Sequence, residues 1–250
     1  MKKGFLSLAM LFLIAITSFA EGRAKYVFYF IGDGMGVNQV NGTETYLAAL
    51  QGRIGVEPLL FTQFPAVGLV TTFSATNGVT DSAAAGTALS TGRKTKNSAL
   101  GMLADLQTPV TSVAVWAQQS GAAVGISTNV SVDHATPAAF YAHQPMRDLY
   151  YEIGKDLIKA DFDFYAGSDF RQPENKKDST ATGTLFERCE QAGYTIARSY
   201  KQFQKTSKQA KKFILLQPST PSNNDRTCLP YAIDRKPGDL TLQDITRASI

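Results

Sequence analysis

The chain has 250 residues, 44% of them hydrophobic and 18% charged, and a formal net charge of +4. That length suffices for one large core, and the charge is too small to imply nucleic acid as a specific partner. Only two cysteines are present, Cys189 and Cys228, which are too far apart to form a zinc site by themselves.

Residues 1–20 read as a secretory signal: Lys2 and Lys3, an apolar run from Phe5 to Ile16, then Ser18-Phe19-Ala20 as a small-x-small cleavage site. The run is too short for a membrane span. Cleavage would remove two lysines, leaving 23 basic against 21 acidic residues. Export to a periplasmic or secreted location permits a Cys189–Cys228 disulfide, worth roughly 4 kcal/mol by chain entropy. Two buried thiols are the other reading.

Lys25–Ile31 is a continuous apolar run, as expected of a strand buried on both faces. It ends in the tight turn Gly32-Asp33-Gly34-Met35-Gly36, and a helix is expected over 43–51. Val67–Ser74 reads as a second strand, followed by a helix from Ser82 to about Thr91. Next come a helix over 113–120, a buried strand over 122–127, a short helix over 134–143 with Pro137 near its start, and an amphipathic helix over 149–159. A strand over 162–166, a helix over 184–192 and strands over 194–197 and 212–217 complete the alternation. The basic stretch Lys201–Lys212 reads as a solvated helix face. Residues 171–182 and 219–228 read as polar loops.

Alternating strands and helices predict a three-layer α/β/α sandwich around a mostly parallel sheet. Ligand sites in such sheets lie beyond the carboxyl ends of the strands. Asp33, Ser82 and the Asp133–Thr136 region each follow one of the expected strands.

Two of these places have a plain reading beside a chemical one. Thr80-Asp81-Ser82-Ala83 before an Ala-rich run is an ordinary helix N-cap. It is also a place where free backbone N–H groups and the helix dipole hold an anion beside a hydroxyl nucleophile. Asp33 between two glycines is an ordinary turn residue, or a carboxylate set where a cation can approach. A Ser-His-Asp triad fits poorly, because there is no G-x-S-x-G and the only histidines are His134 and His143. There is no H-E-x-x-H, and Gly86–Lys94 lacks P-loop spacing. A nucleophilic serine without a histidine base is commonly activated by a metal.

I-G-D-G-M-G at 31–36, T-D-S-A-A-A-G-T-A-L-S-T-G at 80–92 and H-A-T-P-A-A at 134–139 together resemble the alkaline phosphatase family in string, order and spacing. The resemblance is close over 26–147 and looser to Ile250. It implies two Zn²⁺ and one Mg²⁺ ion. By it, Asp33 bridges a zinc and the magnesium. Ser82 becomes transiently phosphorylated, Thr136 ligates magnesium, and Arg147 grips two phosphate oxygens with its guanidinium fork. Asp81 orients that arginine. His134 falls where the family carries Asp or His beside the magnesium site, and His143 is structural. Substrates would be small phosphate monoesters and the product inorganic phosphate. Dimers are common in the family, and residues 21–250 would form the N-terminal part of one domain.

The same resemblance demands further Asp, His and Glu ligands that this chain does not supply. The expectation is therefore a C-terminally truncated sequence with little activity alone. Two rivals stand beside the monoesterase. One is a related superfamily phosphodiesterase or sulfatase, although D-S-A at the nucleophile favours monoesters. The other is a non-catalytic phosphate- or metal-binding protein, which would have no need of a nucleophile.

Overall fold

The chain forms a parallel four-stranded sheet in the order β1-β2-β4-β3, in a computed structural model that describes residues 24–175, 183–218 and 227–250. The strands are β1 (Gly125–Ser127), β2 (Phe164–Gly167), β3 (Tyr194–Ala197) and β4 (Lys212–Leu216). All three pairings are parallel, with Gly125 opposite Phe164, Phe164 opposite Phe213, and Tyr194 opposite Lys212. The expected signal peptide and parts of both expected loops lie outside the described residues.

The helices are α1 (Val37–Leu50), α2 (Ser82–Thr91), α3 (Val113–Gln119), α4 (Ala135–Ala138), α5 (Tyr150–Ala160), α6 (Leu185–Gln191), α7 (Tyr200–Thr206) and α8 (Leu242–Ala248). Strand side chains alternate between faces, and both faces of β2 and β4 are covered, whereas the edge strand β1, expected to be buried, is exposed at Gly125 and Ser127. Ala166, Ala197, Phe213 and Leu215 pack with Ile245 of α8 and Phe203 of α7. On the other face Tyr165 meets Tyr141 edge-on, with ring centroids 5.6 Å apart, and its hydroxyl donates to the Leu157 carbonyl of α5. The expected α/β class and layered arrangement are therefore present. No helix among the described residues is long and apolar enough to cross a membrane.

Close packing of α5 on α6 depends on a missing side chain. A Cβ at Gly154 would stand 2.2 Å from Leu185 Cδ1. At the carboxyl ends of the strands, Asp169 after β2 is buried and paired with Arg198 after β3 at 3.2 Å. Arg198 also lies 4.7 Å from the Phe186 ring centre, a cation–π distance.

Two expectations fail. Residues 25–31 and 67–74 are not strands, and 25–30 and 67–73 are exposed, with Val27 81% and Leu69 103% accessible. An apolar run records fitness for burial, whereas a strand also needs a ladder partner. Among the described residues none pairs with either run. Asp33 and Ser82 consequently do not follow strands of this sheet; only the Asp133–Thr136 region does. The two cysteines are also separate thiols, Cys189 buried and Cys228 half-buried. Burial pushes the Cys189 thiol up to about 12.

The chain divides into two compact units, Met1–Phe64 and Pro65–Ile250. In the first, Met35 N–H donates to Gly32 O (3.1 Å) and closes the expected turn, with Gly34 at φ +68°, where glycine carries no Cβ penalty. Helix α1 starts six residues before the expected position, because Gly36 caps it and Gln39 Oε1 accepts from the Gly36 N–H at 3.0 Å. Glu44 Oε1 then fastens the chain beyond α1, accepting from Leu59 N–H at 2.8 Å and Thr62 Oγ1 at 2.7 Å.

Candidate active site

Asp81 organises the second unit's candidate site. It is the N-cap of α2, and its Oδ1 accepts from the Ala84 N–H at 2.9 Å, satisfying one orphan donor of the first turn. Ala-rich Ser82–Thr91 propagates the helix, and Gly92 closes it at φ +70°. Ser82 is thereby fixed as the first residue of a ten-residue helix, half-buried, at the positive end of the dipole. The capping and nucleophile readings coexist: Asp81 caps, so the hydroxyl of Ser82 is not spent on capping.

The other carboxylate oxygen of Asp81 turns outward. Its Oδ2 accepts from Arg147 Nη1 at 3.2 Å and from the Ser98 N–H at 3.1 Å. Arg147 stands three residues before α5 and is half-buried. Its Nη2 lies 3.3 Å from His134 Nε2. A guanidinium only donates hydrogen bonds, so Nε2 is the acceptor in this contact. His134 is the N-cap of α4. The structure thus brings the adjacent Asp81 and Ser82, Arg147 and His134 together from three separate places in the sequence.

Thr136 lies on α4, which packs tightly against α2. A Cβ at Gly86 would stand 2.9 Å from Ala139 Cβ and 3.5 Å from Thr136 O. Ser90 Oγ of α2 also donates to Ala139 O at 2.7 Å. The small residues of A-A-A-G are therefore what lets the His134–Thr136 segment approach the helix of Ser82. Asp33 sits in the first unit, exposed in its glycine turn. His143 has its Nδ1 2.7 Å from Gly101 O, and its backbone N–H donates to Asp156 Oδ2 at 3.0 Å.

Two further residues stand out near these segments, and Ser98 lay beyond sequence reasoning. Asp133 is fully buried, and both its oxygens accept from the Arg171 N–H, at 3.1 and 2.9 Å. Desolvation pushes its carboxyl up to about 6. Its place after an expected strand was its signal in the sequence. Ser98 contributes through its backbone amide, for which residue type gives no signal.

The fit to metals is incomplete. Structural and catalytic zinc sites use three or four protein ligands. Among the described residues no group of three or more His, Cys, Asp or Glu side chains could hold an ion. Ser82, Thr136 and His134 of the second unit offer two hydroxyls and one imidazole, so bound zinc or magnesium would need further donors.

Residues 24–248 match the family model described as alkaline phosphatase. Over 140 residues the chain is 40% identical to the tissue-nonspecific alkaline phosphatase isozyme of Gallus gallus, covering 52% of this chain and 27% of that protein. It superposes on the crystal structure of Thermus thermophilus alkaline phosphatase with a TM-score of 0.72 and 29% identity, covering 88% of this chain and 45% of that one. A mutant of the alkaline phosphatase of the Antarctic bacterium TAB5, with Mg bound in its M3 site, superposes with a TM-score of 0.59 and 30% identity, covering 70% of this chain and 47% of that one. The chain spans about a quarter of the curated relative's length and about half of each solved relative's.

Proposed function

The chain belongs to the alkaline phosphatase family, and from that premise we propose that its residues serve metal-dependent hydrolysis of phosphate monoesters through a phosphoserine at Ser82. One observation carries the reading. At the N-terminus of α2, a half-buried arginine is aimed by the same carboxylate that caps the helix of the serine.

The substrate phosphate lies between Arg147 and the first turn of α2. Arg147 offers two parallel N–H donors to two phosphate oxygens. The uncapped amides at the start of α2 face the same charge, which is worth most where water is excluded. Ser82 Oγ bonds to phosphorus in line with the ester oxygen as the P–O ester bond breaks. The net course of the first half moves the hydroxyl proton to the departing alcohol. Water then attacks the phosphoserine, restoring the Ser82 hydroxyl and releasing inorganic phosphate. Asp81 holds the guanidinium in register. His134 accepts from the second guanidinium nitrogen and so limits its rotation.

Two Zn²⁺ and one Mg²⁺ are the proposed cofactors, with Asp33, Ser82, Thr136 and His134 contributing alongside donors beyond this set. A bound metal would lower the pKa of the Ser82 hydroxyl. In isolation the 250 residues are proposed to hydrolyse p-nitrophenyl phosphate slowly at most; enzyme-like turnover would overturn that point alone. Export to the periplasm or medium follows from the leader-like residues 1–20.

The test is a steady-state comparison of a phosphate monoester, a diester and a sulfate ester, with the metal donors complete. A monoester preference that collapses by several orders of magnitude in Ser82→Ala supports the proposal. A preference for diester or sulfate, or turnover indifferent to Ser82→Ala, contradicts it.

A further inference from the structure

The Asp81–Arg147 pair joins residues 66 positions apart, and one short segment grips both sides of it. Ser98 is the donor on the Asp81 side: its N–H bonds to Oδ2, the oxygen that also receives Arg147 Nη1. Two residues later, Leu100 forms an antiparallel bridge with Gln144, donating to its carbonyl at 2.9 Å and accepting from its amide at 3.0 Å. Gln144 is three residues before Arg147. Leu100 and Ala99 are fully buried, so the segment is anchored in the core.

Ser98 makes its bond from an uncommon backbone conformation. Its φ is +76°, one of three positive values at non-glycine positions among the described residues. The left-handed region is disfavoured for L-residues and persists where the surroundings impose it. Here the impositions are visible. Asn97 Nδ2 donates to Val79 O at 3.0 Å, Ala99 N–H closes a turn onto Lys96 O at 3.1 Å, and the Leu100 bridge follows at once. Together they turn the Ser98 amide toward Asp81.

We propose that Ser98 is a positioning residue for Arg147: its left-handed backbone aims an amide at Asp81 Oδ2, which fixes the plane of the carboxylate and thereby the direction of the guanidinium. Without that amide Oδ2 keeps one ligand instead of two, and the carboxylate can rotate about its bond to Cβ while Oδ1 still caps α2. The hydroxyl of Ser98 has no part in this; what the position needs is an N–H and tolerance of positive φ. The functional consequence rests on the proposed role of Arg147, whereas the positioning itself does not.

The experiment uses the 250-residue chain with ¹⁵N-labelled arginine. The Arg147 side-chain signals are identified by their loss in Arg147→Ala. Ser98→Pro removes the amide and forbids positive φ; Ser98→Val keeps the amide but resists the left-handed region, and serves if the proline variant does not fold. Ser98→Gly keeps the amide and accepts the conformation freely. The expected result is resolved, slowly exchanging guanidinium nitrogens in the wild type and Ser98→Gly, and averaged ones in Ser98→Pro or Ser98→Val. Affinity for inorganic phosphate should fall roughly tenfold in the same variants, the scale of one charge-assisted hydrogen bond. It should not fall further when they are combined with Arg147→Ala. Folded Ser98→Pro or Ser98→Val with wild-type Arg147 signals overturns the proposal, as does a loss of affinity that persists on top of Arg147→Ala. If Arg147→Ala leaves phosphate affinity unchanged, the functional reading of Arg147 falls, while the nitrogen signals still decide whether Ser98 positions it.

Discussion

Replacing Gly86 by alanine tests the contact that brings α4 to the helix of Ser82. Two effects oppose each other. Alanine in a helix interior gains about 1 kcal/mol over glycine. The new Cβ, however, would stand 2.9 Å from Ala139 Cβ, a carbon fixed to its own backbone and unable to swing away. Carbon atoms rest about 3.5–4.0 Å apart, so the two segments must part by about 0.6 Å or more. Overpacking of this kind costs about 1–3 kcal/mol. The expected net change is a destabilisation of up to about 2 kcal/mol, read as a lower urea midpoint by circular dichroism. Because that range begins near zero, Ala139→Gly supplies the decisive arm. Alone it removes a buried methyl and destabilises. Combined with Gly86→Ala it relieves the clash, and the double variant should exceed the sum of the two by at least about 1 kcal/mol. Additive effects, or a Gly86→Ala chain stabilised by the full helix gain, would show that the two segments are not in contact.

At the α5–α6 crossing, Gly154→Ala places a methyl 2.2 Å from Leu185 Cδ1, and a loss of about 1–3 kcal/mol in urea denaturation is expected, recovered in part by Leu185→Val. Asp81→Ala removes both a cap and the partner of Arg147, so about 1–3 kcal/mol should be lost; Asp81→Asn retains an acceptor for the Ala84 amide and should lose less. Burial pushes the Cys189 thiol up to about 12 from an ordinary value of 9.0. The folded state therefore holds its proton where the unfolded state releases it. That stabilisation is complete below about pH 9 and is lost as pH rises toward 12. Between pH 9 and 11 the wild type should lose about 2 kcal/mol more than Cys189→Ala. At pH 8 a thiol reagent should label half-buried Cys228 readily and Cys189 only after unfolding.

Much of the second unit was legible because its signals are local. Helix α2 carries its cap, its Ala-rich run and its closing Gly92 within twelve residues, and its bounds match the expectation. Strands β3 and β4 lie between turn signals, and their expected positions agree with the structure to within one residue. The segments 25–31 and 67–74 were misread for a physical reason: pairing is a property of two segments, and apolarity describes only one. The site shows the same divide. The string around Ser82 announced a helix start. The resemblance implied that Asp81 orients Arg147, but no spacing reveals the Leu100–Gln144 bridge beside that pair or the approach of His134. Ser98 was invisible because a backbone amide in a left-handed turn leaves no trace in composition. The cysteine pair was open to two readings, and distance in space, which sequence does not encode, decides between them.

The claim on which the account depends is covalent: the phosphoryl group rests on Ser82 between two displacements. With metal donors complete, a monoester labelled in its phosphate is mixed with the enzyme and quenched in acid within one turnover. The account predicts acid-stable label on the tryptic peptide ending at Arg93, mapped to Ser82 and absent from Ser82→Ala. Label on another residue, or turnover at an undiminished rate in the alanine variant, would contradict it.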